Sequence, residues 1–259
     1  MAASASFAAT ALPPPSRFLL FAEIRALGEL ALGIGTLPLL AAAPRGDGHS
    51  VLVLPGFLAS DRSTELLRRY LRALGHNAVG WNQGRNLGGV YRMRPLLQDR
   101  VKALADKSGR KVSVVGWSLG GVYARDLALN MTENVRSITT LGSPFTRDFR
   151  ANNVGRLYDT LSGEPLEHAV PADIEALMGD MPVPATSIFS RTDGVVHWRT
   201  SQVRVRHDAE NIEVIGASHI GLGANPAVLW AVADRLAQKE GQFIPFGRRG
   251  PFWAAYGKK

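Results

Sequence analysis

The stretch from Val112 to Gly121, V-S-V-V-G-W-S-L-G-G, decides the fold more than any other part of the chain. A β-branched apolar run leads into Gly116-Trp117-Ser118-Leu119-Gly120, and helix-forming residues follow from Tyr123 to Ala128. This pattern predicts a strand, a sharp turn and a helix, with Ser118 at the apex. The glycines on either side of the serine let strand and helix approach without a Cβ clash. A hydroxyl held clear of the backbone at the positive end of a helix is placed to attack a carbonyl carbon.

Strands and helices alternate around this stretch, which favours an α/β fold with a mostly parallel sheet flanked by helices. Strands are predicted at 51–54, 78–81, 112–115, 137–141, 185–189 and 212–215, and helices at 63–74, 95–108 and 226–238. The helix at 95–108 is expected to begin at Pro95, because proline suits the first helical turn. The six strands would then bring their carboxyl ends to one edge of the sheet.

Two residues that follow predicted strands are candidate catalytic partners of Ser118. Asp193 comes after the strand at 185–189, and His219 comes after the strand at 212–215. We expect His219 to act as general base and Asp193 to orient and stabilise its imidazole. Asp193 could instead belong to a simple turn and His219 could bond only to backbone, and His197 is the main rival histidine.

Acyl transfer also needs donors for an oxyanion. The backbone amide of Leu119 supplies one, and the amide of Phe57, after Gly56, is the candidate for the other. Leu58 and Trp117 are candidate pocket residues. Trp81 and Asn82, after the second strand, either line the pocket or form a structural turn.

These motifs together resemble the α/β-hydrolase superfamily, and within it the bacterial lipases and esterases. The resemblance covers about residues 48 to 240, through L-V-L-P-G-F at 52–57, G-W-S-L-G-G at 116–121, S-R-T-D-G-V-V at 190–196 and S-H-I-G-L at 218–222. It implies ester hydrolysis through an acyl-enzyme without a cofactor, with Ser118, Asp193 and His219 as the triad. Pro55 stands where the family commonly has a histidine, and the family's leading antiparallel strands are not evident.

Bulk composition narrows the class of protein. The 259 residues are 46% hydrophobic and 20% charged, which is typical of a globular chain with one sizeable core. The absence of cysteine excludes a disulfide framework, a thiolate nucleophile and a cysteine-ligated zinc site. The net charge of +8 comes without a basic stripe interleaved with aromatics, so we expect no nucleic-acid partner. Among the candidate site residues we expect no metal ligand.

The domain prediction places an N-terminal lead and an apolar helical segment at 1–47 and the hydrolase domain at 48–259. Within that domain, 145–184 reads as a small helical cap, because forty residues rich in turn signals are too long for a plain connection.

The apolar stretch from Phe18 to Ala43 contains Glu23, Arg25 and Glu29, which speaks against a transmembrane span. Leu20, Ile24, Leu27, Ala31 and Ile34 share one helical face, so we expect an amphipathic helix packed on the domain by that face. A membrane-surface anchor and a cleaved signal stay open as alternatives, and residues 1–16 read as a disordered lead.

The sequence thus predicts an esterase or lipase acting on a small-molecule ester or lipid, with medium-chain or lipid-like acyl groups favoured. A thioesterase, an acyltransferase and a non-catalytic ligand-binding protein stay open, since the first two use the same triad and the fold also supports binding proteins. We expect a cytoplasmic monomer, and peripheral membrane contact stays open.

Overall fold

The fold is seen in a computed structural model, which describes residues 12–146, 151–155, 158, 160 and 174–258. Six parallel strands form one sheet in the order β2-β1-β3-β4-β5-β6. They are β1 (Ser50–Leu54), β2 (Asn77–Gly80), β3 (Val112–Trp117), β4 (Val135–Leu141), β5 (Ala185–Phe189) and β6 (Ala209–Glu213). The predicted number of strands and the parallel arrangement are confirmed.

The helices cover both faces of this sheet. They are α1 (Arg17–Phe21), α2 (Ala26–Gly35), α3 (Leu37–Leu40), α4 (Glu65–Ala73), α5 (Val90–Ser108), α6 (Leu119–Asn130), α7 (Ile174–Met178) and α8 (Pro226–Leu236). The part of the chain that the structure describes also has 3₁₀ turns at Ala22–Arg25, Trp198–Ser201 and Trp253–Ala255.

The core has two layers because alternate residues of a strand point to opposite faces. In β1, Leu52 and Leu54 pack with α5 and α6, whereas Val51 and Val53 pack with α4 and α8. All five residues of β1 are buried, as expected for a strand covered on both sides. The chain moves from β1 outward to β2 and then back past β1 to β3. The carboxyl ends of β1 and β3 therefore border the point where the strand order reverses, which is where open α/β sheets bind ligands.

Two predicted element boundaries are wrong. Helix α5 begins at Val90, so Pro95 lies inside it rather than in its first turn. Gly89, with φ 81°, ends the preceding loop. Because Val90 and Met93 pack into the core, the helix begins five residues before Pro95. Strand β6 runs over Ala209–Glu213 rather than 212–215, and the buried charge of Glu210 hid its first half from a hydrophobicity pattern.

The apolar N-terminal segment is helical, but the face predicted to pack on the domain is exposed. Ile24 is 74% exposed and Leu27 is 69% exposed, whereas Glu23 and Glu29 are buried against the domain. The segment packs on the domain through Glu23 and Glu29 in its first part and through Leu40 and Ala43, which join the hydrophobic core, at its end. The expected disorder of residues 1–16 does not hold for 12–16, because Asn153 donates a hydrogen bond to the carbonyl of Pro15 (3.1 Å).

The predicted cap at 145–184 falls largely outside the described residues. Of the part that is described, α7 lies at its end, and Tyr158 is buried with its ring beside Phe57 (4.9 Å between centroids).

Candidate active site

Ser118 lies on a tight turn between β3 and α6, as the sequence predicted. Its backbone adopts φ 54° and ψ −123°, a conformation that L-residues rarely adopt and that the surrounding structure must enforce. A Cβ on Gly116 would meet the backbone of Gly120 and Gly121, and a Cβ on Gly120 would meet the carbonyl of Leu54 in β1. Both glycines are therefore required by close packing, and the turn leaves Ser118 half-buried at the carboxyl edge of the sheet.

Asp193 and His219 form a hydrogen-bonded pair at the same edge. The Nδ1 atom of His219 lies 2.7 Å from Oδ2 of Asp193, and both side chains are buried. The other carboxylate oxygen, Oδ1, accepts the amides of Val195 (2.9 Å) and Val196 (2.7 Å). With both oxygens engaged, the carboxylate is fixed in orientation, and it holds the histidine ring by Nδ1.

The pKa of His219 is raised above the ordinary 6.5. Burial by itself lowers this pKa, but the charge of Asp193, its hydrogen bond and the charge of Glu23 together outweigh that effect. The site therefore stabilises an imidazolium, the species that forms when a histidine takes a proton from a nucleophile.

The Asp193–His219 pair lies next to two residues close to Ser118, which are Trp117 at the end of β3 and Gly142 just after β4. The indole Nε1 of Trp117, next to Ser118, donates to the carbonyl of His219 (3.1 Å). A Cβ on Gly142, just after β4, would lie 3.0 Å from Oδ2 of Asp193 and 3.1 Å from Nδ1 of His219. His197, the rival histidine, begins the 3₁₀ turn at Trp198–Ser201, where its Nδ1 accepts the amide of Arg199 (3.3 Å).

The loop after β1 lies against Ser118. A Cβ on Gly56 would stand 3.1 Å from the Cβ of Ser118, so any other residue would have to displace the serine or the loop by a few tenths of an ångström. Phe57 follows in the same loop and is half-buried. Leu119 is the first residue of α6, and its amide therefore has no partner within the helix. The backbone around Ser118 thus carries the two segments from which oxyanion donors were predicted.

Asn86 organises this loop, a role that the sequence did not reveal. Its Nδ2 donates to the carbonyl of Pro55 (2.9 Å), and its backbone carbonyl accepts the amide of Leu58 (2.7 Å). Its Oδ1 accepts the hydroxyl of Tyr123 (3.0 Å), which ties the loop to α6. The sequence offered only a Gly/Asn-rich loop. The burial of Asn86, which obliges its amide to find hydrogen-bond partners, is seen only in the structure.

The predicted pocket residues Trp81 and Asn82 belong to the turn after β2, whereas Leu58 and Trp117 lie next to the Gly56–Ser118 contact. Trp81 is buried in the core, and its indole donates to the carbonyl of Gly84 (3.0 Å). Asn82 adopts φ 61°, and Asp61 accepts the amides of both Trp81 and Asn82 (3.0 Å each). Leu58 also has a positive φ, 61°, and is half-buried like Trp117. Asp61 therefore makes the turn after β2 a well-fixed structural feature.

The fold is found again in known structures. The chain is similar to lipase B of Aspergillus fumigatus, with 17% identity over 77% of this chain and 55% of that one, at a TM-score of 0.58. It is similar to a lipase of Bacillus licheniformis (14% identity, 76% and 93% coverage, TM-score 0.55). A third similar structure is a monoacylglycerol lipase of Paleococcus ferrophilus (13% identity, 74% and 97% coverage, TM-score 0.53). The chain has the α/β-hydrolase fold. No protein-family model and no curated protein matches the sequence.

In this α/β-hydrolase fold, the N-terminal segment holds the loops that carry Asp193 and His219. Oε1 of Glu23 accepts the amides of Gly194 (2.8 Å) and His219 (3.0 Å), and Oε2 accepts the amide of Ile220 (2.8 Å). One carboxylate thus binds the residue after the acid, the histidine itself and the residue after the histidine.

Arg25 and Glu29 extend this support along the same segment. The Arg25 guanidinium donates to the carbonyls of Thr192 (2.5 Å) and Ala217 (3.1 Å), which precede the acid and the histidine. Glu29 accepts the amide of Ser218 (2.8 Å) and the side-chain amide of Asn225 (2.7 Å). The charges that interrupt the apolar stretch are therefore the contacts that attach it to the site. Charged residues that interrupt an otherwise apolar helical stretch were the signal in the sequence.

A second histidine also lies between a serine and an aspartate, at the opposite edge of the sheet. Nε2 of His49 is 2.9 Å from Oγ of Ser113, and Nδ1 is 2.5 Å from Oδ1 of Asp47. Both His49 and Ser113 are buried, and burial lowers the pKa of His49 despite the nearby Asp47. Because neither side chain reaches solvent, this group ties the amino ends of the strands together and gives no access to a substrate.

Proposed function

We propose that this protein is a serine hydrolase that cleaves carboxylic esters through an acyl-enzyme on Ser118. The observation that carries the proposal is the buried Asp193–His219 pair beside a serine on a strained strand-to-helix turn. The names of the similar structures, lipases from a fungus, a bacterium and a third organism, support the same reaction class.

In the proposed mechanism, Oγ of Ser118 attacks the ester carbonyl carbon while His219 takes the hydroxyl proton. The carbonyl oxygen becomes an oxyanion, which the amides of Phe57 and Leu119 stabilise. As the carbon–oxygen bond to the alcohol breaks, His219 returns the proton to the leaving alkoxide. Water then attacks the acyl-enzyme carbonyl while His219 takes one of its protons. As the bond to Oγ of Ser118 breaks, His219 passes that proton to Oγ, which releases the carboxylic acid and restores the serine hydroxyl.

We assign the acyl pocket to the surroundings of this serine, with Trp117 and Leu58 as its nearest predicted members. Trp81 and Asn82 stay predictions for the same pocket. Medium-chain or lipid-like acyl groups are the proposed substrates, and the reaction needs no cofactor.

The decisive test is covalent labelling with a fluorophosphonate, followed by peptide mapping, on the wild type and on Ser118→Ala. We expect label on Ser118, none in the variant, and a fall in ester hydrolysis of at least ~10³-fold. Ser113→Ala is the matched control, because that serine also lies next to a histidine but is buried; it should keep full labelling.

Lack of labelling in a folded wild type would contradict the proposal and favour a ligand-binding protein without turnover. If Ser118 is labelled, comparison of an ester with the matching thioester, in the presence and absence of a competing alcohol, separates an esterase from a thioesterase or an acyltransferase.

A further inference from the structure

The N-terminal arm, residues 16–44, shows solvent an apolar surface. Every exposed residue from Phe18 to Pro44 is apolar or glycine, and the three charged residues of this stretch are turned toward the domain. We call the six most exposed large side chains the apolar patch. They are between 53% and 79% exposed: Phe18, Phe21, Ile24, Leu27, Leu32 and Ile34.

This arrangement reverses the usual amphipathic helix of a globular protein. Such a helix buries its apolar stripe and exposes its charges. Here the hydrogen bonds of Glu23, Arg25 and Glu29 to the catalytic loops hold the polar side inward and force the apolar side out. A contiguous exposed apolar surface marks a place of contact with another hydrophobic surface.

The charges around the apolar patch indicate the kind of surface that it would contact. Arg17 and Arg45, both exposed, stand at the two ends of the arm, and no exposed acidic side chain lies between them. The chain as a whole carries a net charge of +8. Exposed arginines beside an apolar helix face are complementary to anionic lipid headgroups.

The lengths of the helices decide how the arm meets a lipid surface. Helices α1, α2 and α3 have 5, 10 and 4 residues, and within the described residues no helix is long and apolar enough to cross a membrane. We propose that the apolar patch docks on an anionic lipid surface, with the arm lying in the interface and the arginines at the headgroups.

The docking surface is continuous with the candidate active site. Ile220 is 56% exposed, directly follows His219, and has its amide bound by Glu23 of the arm. Ile215, 57% exposed, precedes Gly216, whose carbonyl accepts a hydrogen bond from Arg25 (3.2 Å). A lipid surface that covers the patch therefore reaches the rim of the site, although the docking itself does not depend on catalysis.

The test is co-sedimentation of the full chain with vesicles of phosphatidylcholine, with and without phosphatidylglycerol. We expect stronger binding to the anionic vesicles, weakened by salt. Leu27→Glu should weaken binding about tenfold or more, because a charge replaces a side chain immersed in lipid. Val205→Glu is the matched control, and its binding should be unchanged. Val205 is 68% exposed against 69% for Leu27, but it precedes the amino end of β6, whereas the arm binds loops that follow the carboxyl ends of β5 and β6.

Melting temperatures close to that of the wild type would show that both variants fold. Failure of the wild type to bind anionic vesicles at low salt would overturn the proposal, as would equal binding by Leu27→Glu. A dimer in sedimentation velocity that Leu27→Glu dissociates would overturn it in favour of a second copy of the chain. Fluorophosphonate labelling in solution is independent of all these outcomes, so the two proposals can fail separately.

Discussion

His219 meets two carboxylates, one at its ring and one at its backbone. Asp193 bonds Nδ1, and Glu23 accepts the amide of the histidine itself. Arg25 adds a positive charge at the carbonyls of Thr192 and Ala217. The pKa of His219 results from burial, which lowers it, and from the two carboxylate charges, which raise it above 6.5. Glu23 therefore acts on His219 both through a hydrogen bond to its backbone and through its charge.

Removal of the Glu23 charge is predicted to lower the pKa of His219. In Glu23→Gln the imidazolium loses a favourable interaction, so the pKa of His219 falls and the neutral base persists to lower pH. We expect the acid limb of the kcat/KM profile for a soluble ester to move to lower pH, since this limb reports the free enzyme.

Glu29→Gln is the matched control for this shift. Glu29 is also buried and also accepts hydrogen bonds from the loop, but at Ser218 and Asn225. We expect it to lower the melting temperature without moving the acid limb. An identical shift in both variants would show that loop distortion, and not the charge of Glu23, sets the profile.

At the level of secondary-structure elements, the contact between α2 and the loop before α8 is unusually close. A Cβ on Gly33 would collide with the carbonyl of Ala224. This glycine therefore lets α2 approach closely enough for Glu29 to reach Ser218 and Asn225. The packing of the arm depends on a small residue as well as on its charges.

The closeness of this contact predicts opposite effects for two glycines of one helix. Gly33→Ala should lower the free energy of unfolding by about 1–3 kcal/mol because the added methyl forces the backbones apart. Gly28→Ala should raise it by up to ~1 kcal/mol, since nothing lies within 4 Å of its Cβ position and alanine favours the helix. Thermal and denaturant unfolding measure both changes. A loss of stability in both variants, or in neither, would contradict the packing of α2 described here.

At the scale of the whole molecule, the two edges of the sheet contain histidines of opposite character. The carboxyl edge has His219, whose pKa is raised; the amino edge has His49 and His76, whose rings meet at 5.1 Å. Burial, with the charges of His49 and Arg136, lowers the pKa of His76 to about 4, although Asp47 acts in the opposite direction. Neither ring nitrogen of His76 has a hydrogen-bond partner among the described residues.

The lowered pKa of His76 makes the free energy of unfolding depend on pH. Between pH 6.5 and about 4 the unfolded chain binds a proton at His76 that the folded chain does not, so stability falls as the pH falls through that window. One such histidine contributes at most about 1.4 kcal/mol per pH unit. His76→Leu should therefore flatten the dependence of the melting temperature on pH between 6.5 and 4.

His207→Leu serves as the control for this measurement, because the side chain of His207 is 87% exposed and its replacement should leave the dependence unchanged. A wild-type slope that persists in His76→Leu would assign the acid sensitivity to other groups.

The sequence by itself determined the parts of this protein that depend on neighbouring residues. Strand and helix periodicity predicted the six parallel strands, and the glycine spacing around Ser118 predicted its turn, because both follow from backbone geometry over a few residues. Asp193 and His219 could be named because each follows a strand. The predicted start of α5 at Pro95 was wrong, because the packing of Val90 and Met93 into the core outweighed the preference of proline for the first turn of a helix.

Only the tertiary structure decided which side of the N-terminal arm faces the domain. Periodicity identified two faces correctly and then assigned the apolar one inward, as is usual for a globular protein. The contacts that reverse this choice join Glu23 to Gly194 and His219, residues 171 and 196 positions away. The buried backbone amides of the loops at Gly194 and His219 require acceptors, and the arm can supply them only when the loops and the arm lie side by side.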